Sequence, residues 1–321
     1  MFKVSGKTNL KNSTVEVVPY NSHWPEMFFH EAAKIQAALG ENCVTVHHIG
    51  STSISGISAK PIIDMVPVVK DILKVDATAL KNLGYEGRGE LGMLFRRYFS
   101  NHVCHLHIWE EGNPEIDKHL IFRNYLMSNL NELKRYENLK LDLAKIFSQD
   151  RASYTLSKGD LIKEMLHKAG FDGMTMVHAL TDKEWAAVKH MRQKYFFDFL
   201  VNKQDPYTWT FDDPRHFHIL LMQGCDIIGY AHLQFWPDSR AALRIIVIEE
   251  THRKQGMGQY FLTKLERWLI HQNIQSLHIQ SSPEAQVFYR HAGYLEMPFN
   301  DPDGYEVDPR DVEMGKTLGV V

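Results

Sequence analysis

The sequence predicts two mixed α/β domains, with the boundary between them near residue 172. The chain has 321 residues, and a chain of this length usually folds as more than one domain. Apolar positions recur at helical spacing through residues 117–169, and Ala169-Gly170-Phe171-Asp172-Gly173 then ends that pattern. Beyond this connector, runs of strand length alternate with helical stretches, which is typical of mixed α/β domains.

Composition narrows the class of protein. The formal net charge is −3, which does not indicate a nucleic-acid binder. Three widely spaced cysteines argue against a disulfide framework and fit a reducing compartment. No apolar run reaches membrane-spanning length, and the N-terminus has no apolar signal core. We therefore expect a cytoplasmic protein without nucleic-acid or membrane partners, while the oligomeric state stays open.

The first domain, residues 1–172, has the pattern of an α+β or α/β fold, with a small mixed sheet and C-terminal helices. Alternating apolar residues predict its strands, and apolar positions three or four residues apart predict its helices. In chain order the elements are a helix at 24–39, strands at 43–49 and 61–69, a helix at 72–83, strands at 92–100 and 103–109, and three helices between 117 and 169.

The second domain, residues 173–321, begins with a helix at 182–199, where Thr181 and Glu184 suit a capping box. A short helix at 283–291 has Ser282 as its predicted N-cap and Pro283 in its first turn. The other predicted elements are hairpin strands at 216–222 and 227–235, a strand at 241–248, a helix at 257–272, and strands at 276–280 and 311–316.

A glycine-containing turn separates the strand at 241–248 from the next helix. Its sequence is Arg253-Lys254-Gln255-Gly256-Met257-Gly258. Free amides at a helix N-terminus favour a phosphate or pyrophosphate. The two glycines let a bulky diphosphate approach the main chain, and Arg253 adds a positive charge. The pattern therefore predicts a site for a nucleotide-like ligand.

Residues from about 175 to 318 resemble the GNAT superfamily of acetyl-CoA-dependent N-acetyltransferases. The turn matches the family pattern R/Q-x-x-G-x-G/A, and residues 285–294, AQVFYRHAGY, match its A-x-x-F-Y-x-x-x-G-F/Y helix. The family usually has Asn where this chain has Ser282, so the amide contact made there would be lost. A glycine pattern alone is weak evidence, whereas two motifs in the expected structural context are much stronger.

This resemblance implies an N-acetyltransferase, with a mixed, splayed central sheet, that uses acetyl-CoA. The acceptor would be a small primary amine, whose identity the sequence does not reveal. Tyr289 would protonate the leaving thiolate, and Glu249 or Glu250 would take the proton of the amine. The turn would hold the pyrophosphate, and the main chain of the preceding strand would pair with the pantetheine arm. The predicted CoA-binding residues are Ile246, Ile248, Arg253, Lys254, Gln255, Gly256, Met257, Gly258, Gln259 and Ser282.

Each of these assignments has a structural alternative. The turn would then only connect a strand to a helix, Tyr289 would be a core residue, and the two glutamates would be solvated. The hairpin histidines His216, His218 and His232 are interpreted as structural. An acidic segment near the hairpin would suit a cationic amine through Asp205, Asp212 and Asp213. A non-catalytic protein that senses CoA is the corresponding alternative for the whole domain.

Residues from about 14 to 169 resemble the GrpB-like (UPF0157) family, whose fold is of the DNA polymerase β-type nucleotidyltransferase kind. The resemblance is long and covers most of the first domain. The matching segments are VPYNSHWP at 18–25, HIGSTS at 48–53, AKPIID at 59–64, HLH at 105–107, LIFRNYL at 120–126, Tyr154 and Lys158.

The second resemblance implies a nucleotide or CoA-type ligand in this domain. In nucleotidyltransferases the corresponding Gly-Ser binds the triphosphate, so Gly50, Ser51, Thr52 and Ser53 are predicted to contact the ligand. Positive charge would come from Lys60, Arg123 and Lys158.

Metal binding is the open point of this domain. Active nucleotidyltransferases need two acidic residues on the strand that corresponds to residues 61–69 here. They also need a third carboxylate, because two metals clamp the phosphoryl group. Here only Asp64 is acidic, and His105 and His107 alternate onto one face of a later strand. These three residues would bind one divalent metal, softer than Mg²⁺. The alternatives are therefore metal-dependent nucleotidyl or phosphoryl transfer, ligand binding without chemistry, and a scaffold.

Overall fold

A computed structural model of the protein describes residues 14–198, 204–304 and 308–319. Within these ranges the chain forms two sheets, each flanked by helices. The mixed α/β class expected for both halves is confirmed, whereas the division between residues 172 and 173 stays a prediction. No helix in the described ranges is long and apolar enough to cross a membrane.

The first sheet has the strand order β1-β2-β5-β4-β3. These strands are β1 Cys43–Ile49, β2 Ile63–Val69, β3 Glu86–Gly87, β4 Arg97–Ser100 and β5 Cys104–Glu110. β2 and β5 are parallel neighbours, and their register places Asp64 beside His105. The helix α1, Trp24–Leu39, packs its Trp24, Phe28 and Ile35 into the core beneath this sheet.

Helices complete the N-terminal half. They are α2 Ala77–Asn82, α3 Pro114–Ser128, α4 Leu130–Ile146, α5 Arg151–Leu156 and α6 Gly159–Lys168. The expectation of three helices between residues 117 and 169 was wrong, because the described residues form four. The extra break has a local cause: the Asp150 carboxylate accepts the amide of Ser153 and so begins a separate helix.

Two further expectations in this half need correction. The helix predicted at 72–83 is a short 3-10 turn followed by α2, because Asp71 and Asp76 each cap a new start. The strand predicted at 92–100 is reduced to β4. Gly92 and Phe95 have φ angles of 89° and 69°, which belong to turns rather than strands.

The second sheet has the strand order β11-β12-β10-β9-β8-β7-β6. Its strands are β6 Met174–His178, β7 His216–Gln223, β8 Asp226–Trp236, β9 Arg240–Ile248, β10 Ser276–Ser281, β11 Leu295–Glu296 and β12 Val312–Thr317. The pair of β9 and β10 is parallel. The helices of this half are α7 Asp182–Arg192, α8 Met257–His271 and α9 Gln286–His291.

Four features of this half differ from expectation. β6 and β11 were not predicted; β6 is short and joins the sheet by pairing with β7. The helix from 182 ends at Arg192 and continues as a π-helical segment to Phe197, and residue 199 lies outside the described residues. The short helix begins at Gln286, because the carbonyl of Ser282 accepts the amide of Ala285 in a preceding turn.

The two halves contact each other through the segment before β4. Met93 forms an isolated bridge with Val177 of β6, and Leu94 packs into the core of the second sheet. The Trp268 indole on α8 donates to the Glu90 carboxylate (3.0 Å), and Arg267 on α8 forms an ion pair with Glu110. The helix that follows the glycine turn is therefore also in contact with the first sheet.

Candidate functional site

The second sheet splits beside the glycine turn. Among the described residues, β9 pairs with β10 only at Arg240, Ala241 and Ala242. From Leu243 to Ile248, β9 pairs with β8 alone in the part of the chain that the structure describes. Unpaired main chain along a strand is a template for an added extended segment. Ile246 and Ile248 lie on this open stretch, where pairing with a pantetheine arm was expected.

A β-bulge marks the start of the split. The register places Leu243 opposite Leu233 and Ile245 opposite His232, so Arg244 is the extra residue. Its guanidinium donates to the Gln234 side chain and pairs with Asp301 at 2.6 Å. This nearly buried ion pair was not expected from the sequence, because Asp301 is remote along the chain.

The glycine turn leads directly into α8. Lys254 and Gly256 have φ angles of 59° and 80°, and Gly256 is the N-cap of the helix. The amide of Tyr260 donates to the carbonyl of Gly256 at 3.0 Å. The amides of residues 257–259 precede it in the first turn and have no intrahelical acceptor. They lie at the positive end of the helix dipole, which fits the pyrophosphate of CoA.

Side chains attach this turn to the end of β9. The Arg253 Nε donates to the carbonyl of Ile248 at 2.8 Å, and its guanidinium lies over the Tyr195 ring. The Gln255 side-chain amide donates to the carbonyl of Thr251. A Cβ atom on Gly258 would lie 3.4 Å from Phe288. The turn motif and the helix motif are therefore in contact, although about thirty residues separate them.

Tyr289 lies inside the core of the C-terminal half. Its side chain is 8 % exposed, and its ring packs edge-on against Phe288 and Tyr294. Burial raises the pKa of the Tyr289 phenol above its ordinary value. The phenol is therefore a neutral hydrogen-bond donor at physiological pH. The packing of Tyr289 is that of a core residue. Its retained proton is also compatible with donation to a leaving thiolate.

The two candidate bases have different surroundings. Glu249 accepts hydrogen bonds from the Tyr195 hydroxyl (2.7 Å) and the Lys194 ammonium (3.2 Å). Partial burial opposes ionisation of Glu249, but these two donors outweigh it and lower the pKa of the carboxyl. Such a carboxylate is a weak base. Glu250 is freer, with its side chain 64 % exposed and 3.7 Å from Lys194.

A buried polar network lies on the hairpin strands. Arg192, 1 % exposed, donates to Tyr230 (3.2 Å) and lies 3.3 Å from the Nδ1 of His232. The Nε2 of His232 is 2.7 Å from the Nδ1 of His216, and His218 bonds to the Tyr230 hydroxyl. His218 and His232 have partners at both nitrogens, as the structural interpretation expects.

His216 differs from its neighbours. Its Nε2 is buried without a hydrogen-bond partner among the described residues. Burial lowers its pKa to about 4, despite the opposing charge of Asp213, so the ring is neutral at pH 7. A neutral imidazole with a free nitrogen can accept a proton or a hydrogen bond.

The acidic segment is largely paired with arginines. Asp205 forms a two-point ion pair with the buried Arg192, with contacts of 2.5 and 3.0 Å. Asp213 pairs with Arg215 at 2.9 Å, whereas Asp212 is exposed. The expectation that all three would bind a cationic amine is therefore not supported. Residues 199–203 of this segment lie outside the described residues.

In the N-terminal half, the Gly50–Ser53 turn offers fewer ligand groups than expected. The Thr52 hydroxyl donates to the carbonyl of Ile62 (3.2 Å), and the Ser53 hydroxyl donates to that of Gly50 (2.6 Å). These two hydroxyls hold the turn. The Ser51 hydroxyl instead accepts from the Lys140 ammonium at 2.9 Å and also bonds to the Tyr136 side chain.

The predicted cations of this half separate into two groups. Arg123 donates to the carbonyl of His48 (2.7 Å) and to Asn124, so it supports the end of β1. Lys60 and Lys158 both lie over the Tyr154 ring, with Nζ-to-centroid distances of 5.2 and 4.5 Å.

Lys140 was not predicted, although the helix pattern contained a signal for it. Leu133, Tyr136, Lys140 and Leu143 follow helical spacing, so this lysine lies on an apolar face. It is 2 % exposed.

The three predicted metal ligands do not form a metal site. Among the described residues, no group of three His, Cys, Asp or Glu side chains is placed to hold a metal ion. The Nδ1 of His105 bonds to Asp64 (2.9 Å), and its Nε2 lies 2.9 Å from Arg151. His107 lies beside Arg96, with its Nδ1 3.4 Å from Nη1. Because both nitrogens of His105 are occupied, it orients Asp64 rather than offering a ligand atom.

Comparisons with known proteins cover both halves. A sequence model of the GrpB protein family matches residues 14–168, and one of the acetyltransferase (GNAT) family matches residues 184–294. The UPF0157 protein YqkA of Bacillus subtilis is 39% identical over 155 residues, which are 46% of this chain and 45% of that protein. The UPF0157 protein SCO7215 of Streptomyces coelicolor is 33% identical over 184 residues, covering 53% of this chain and 98% of that protein.

Solved structures match each half separately. The crystal structure of GrpB from Enterococcus faecalis has 38% identity and a TM-score of 0.46, covering 48% of this chain and 96% of that one. A putative N-acetyltransferase from Lactobacillus plantarum has 22% identity and a TM-score of 0.38, covering 45% of this chain and 98% of that one.

Proposed function

Because this chain belongs to the GrpB (UPF0157) family through residues 14–168 and carries a GNAT acetyltransferase domain in residues 184–294, we propose that it transfers an acetyl group from acetyl-CoA to a primary amine. One observation supports this most directly. The split between β9 and β10 leads to the free amides of α8, and α9 with Tyr289 packs on the same turn. The open strand suits the pantetheine arm of acetyl-CoA, the amides suit its pyrophosphate, and Tyr289 suits its sulfur.

The proposed roles follow from the contacts. The amides of residues 257–259 bind the pyrophosphate, and Arg253 and Gln255 hold the turn in place. The main chain of Ile246 and Ile248 pairs with the pantetheine arm. When bound, acetyl-CoA supplies the thioester carbonyl that the amine attacks. Tyr289 retains its proton until charge develops on the sulfur, and then donates a hydrogen bond to it.

Two side chains are candidates for the base that takes the proton of the amine. Glu250 is exposed at the end of β9, in line with the sequence-based expectation. His216 lies opposite Gln234 on β8, which lies opposite Ala242, the last paired residue before the split. Two strand spacings of about 4.8 Å each place its backbone roughly 10 Å from β9. If His216→Asn removes the acidic limb of the kcat/KM profile and Glu250→Gln does not, the imidazole is the base.

Acetyl-CoA turnover by the full chain tests the proposal. Thiol release is measured with a panel of primary amines. Tyr289→Phe should lower kcat about 100-fold or more while the Kd for acetyl-CoA stays within about twofold, because the ring packing is retained. Tyr260→Phe is the matched control, since it removes a half-buried phenol from α8. Absence of calorimetric acetyl-CoA binding by the wild-type chain would refute an acetyltransferase.

For the N-terminal half we propose ligand binding rather than metal-dependent transfer. Ser51, Lys60 and Lys158 remain as groups suited to a nucleotide or CoA-type ligand, whereas Asp64 and His105 are bonded to each other. Metal-dependent turnover of a nucleoside triphosphate by the wild-type chain would contradict this assignment.

A further inference from the structure

Three lysines of the N-terminal half converge beside the Gly50–Ser53 turn. Lys140 donates to the Ser51 hydroxyl (2.9 Å) and to the carbonyl of Ser58 (2.5 Å), and lies over the Tyr136 ring. Lys60 and Lys158 share the ring of the buried Tyr154. These side chains come from a loop, from α4 and from the N-cap of α6. Residues this distant in sequence meet only because the helices pack over the turn.

The charges in this cluster are not balanced. Lys60 and Lys158 have no hydrogen-bond or ion-pair partner among the described residues, and both are partly buried. The nearby carboxylates are Asp64, which bonds to His105, and Glu137, which accepts the amide of Ser58. Arg151, beside His105, adds a fourth cation. Four cationic side chains therefore face two carboxylates.

The imbalance costs free energy without a ligand. Burial and the charges of neighbouring cations lower the pKa of Lys140 to about 7 and those of Lys60 and Lys158 to about 8. The Asp64 charge opposes the shift at Lys60 and Lys158, and the Glu137 charge opposes it at Lys140. Burying cations without counterions is unfavourable, and an anion between them would remove that cost. Folding has nevertheless placed all three ammonium groups here.

From this arrangement we propose that Lys60, Lys140, Lys158 and the Ser51 hydroxyl form a phosphate-binding site that needs no divalent metal. The inference rests on the ligand-binding role proposed above for the N-terminal half. Ammonium groups bind phosphate as point charges, and here they supply the positive charge that Mg²⁺ supplies elsewhere. The Ser51 hydroxyl, which already accepts from Lys140, donates its proton to a phosphate oxygen.

Inorganic pyrophosphate is the probe for this site. Calorimetric titration of the full chain, in the presence of EDTA, should detect binding. Lys60→Gln and Lys158→Gln should each weaken it about tenfold or more, because each removes a charge-assisted contact. Lys81→Gln is the control, since Lys81 is exposed on α2. ATP and CoA, added as competitors, distinguish a nucleotide from a CoA-type source of the phosphate.

The glycine turn before α8 also suits pyrophosphate. The effect of each variant on acetyl-CoA is therefore measured as well. The proposal predicts an unchanged KM for acetyl-CoA in the transfer reaction of Lys60→Gln and Lys158→Gln, because turnover depends on the glycine turn and not on these lysines. Titration curves that match the wild type in both variants would overturn it, as would binding that EDTA abolishes. Both side chains are partly exposed, so we expect these two variants to fold. A failed acetyl-transfer assay would contradict the acetyltransferase alone, because it reports on other residues.

Discussion

At the scale of single residues, Gly50 has two independent constraints. Its φ and ψ angles are 69° and −174°, a region that residues with a Cβ avoid. A Cβ atom here would also lie 2.6 Å from the Asp64 carboxylate. The sequence motif indicated a phosphate-binding glycine, whereas the structure shows that the same glycine makes room for the Asp64–His105 pair.

Gly50→Ala should therefore destabilise the protein by about 2–4 kcal/mol, measured by urea unfolding. Gly56→Ala is the matched control, because Gly56 has a φ of 80° but open space around its Cα. It should cost only about 1 kcal/mol. Equal losses in the two variants would show that the contact with Asp64 contributes nothing.

Lys140 predicts a pH dependence of stability. Its pKa is lowered in the folded protein, so between about pH 7 and 10 the unfolded chain binds more protons. Stability should therefore rise with pH across this window, by more than about 1 kcal/mol. Lys140→Met should make the rise smaller, while Lys60 and Lys158, whose pKa values are also lowered, supply the rest. Urea midpoints of the variant and the wild type that change in parallel with pH would contradict the assignment.

At the scale of elements, α7 begins with a complete capping box. The Thr181 hydroxyl accepts the amide of Glu184 (3.3 Å), and the Glu184 carboxylate accepts the amide of Thr181 (2.8 Å). Thr181→Ala should cost about 1 kcal/mol of unfolding free energy. Glu184→Gln keeps both bonds possible and should cost less. If Thr181→Ala and Glu184→Gln lose the same unfolding free energy, the hydrogen bond accepted by the Thr181 hydroxyl does not explain the loss.

Local patterns predicted the long elements better than the short ones. The hairpin and α8 repeat one periodicity over many residues, and their positions were confirmed. The capping box is a four-residue pattern with a specific pair of side chains, and it too was confirmed. β6 and β11 are short, and tertiary pairing rather than local propensity forms them. Asp150, Asp71 and Asp76 divide helical stretches, because a side chain that caps an amide competes with helix continuation.

At the scale of the whole molecule, Glu90 connects the two halves. It accepts the indole N–H of Trp268, which is 1 % exposed, and the amide of Phe95. Glu90→Ala should cost about 1–3 kcal/mol, because it leaves buried donors unpaired. We expect calorimetry to show a single transition for the wild type and two for the variant. Glu86→Ala is the control, because Glu86 is exposed and its side chain pairs with Arg88. A single transition in both variants would mean that other contacts couple the halves.

The sequence by itself determined the GrpB family, the mixed α/β class, and the turn and helix motifs by which the C-terminal half resembles the GNAT family. Such features are local, since glycines, caps and periodicity act within a few residues. Only the tertiary structure decided which side chains are free. It paired Asp205 with Arg192, occupied both nitrogens of His105, and brought Lys140 to Ser51 across 89 residues. The reason is physical: whether a polar group can bind a ligand depends on its neighbours in space, and packing alone sets those neighbours.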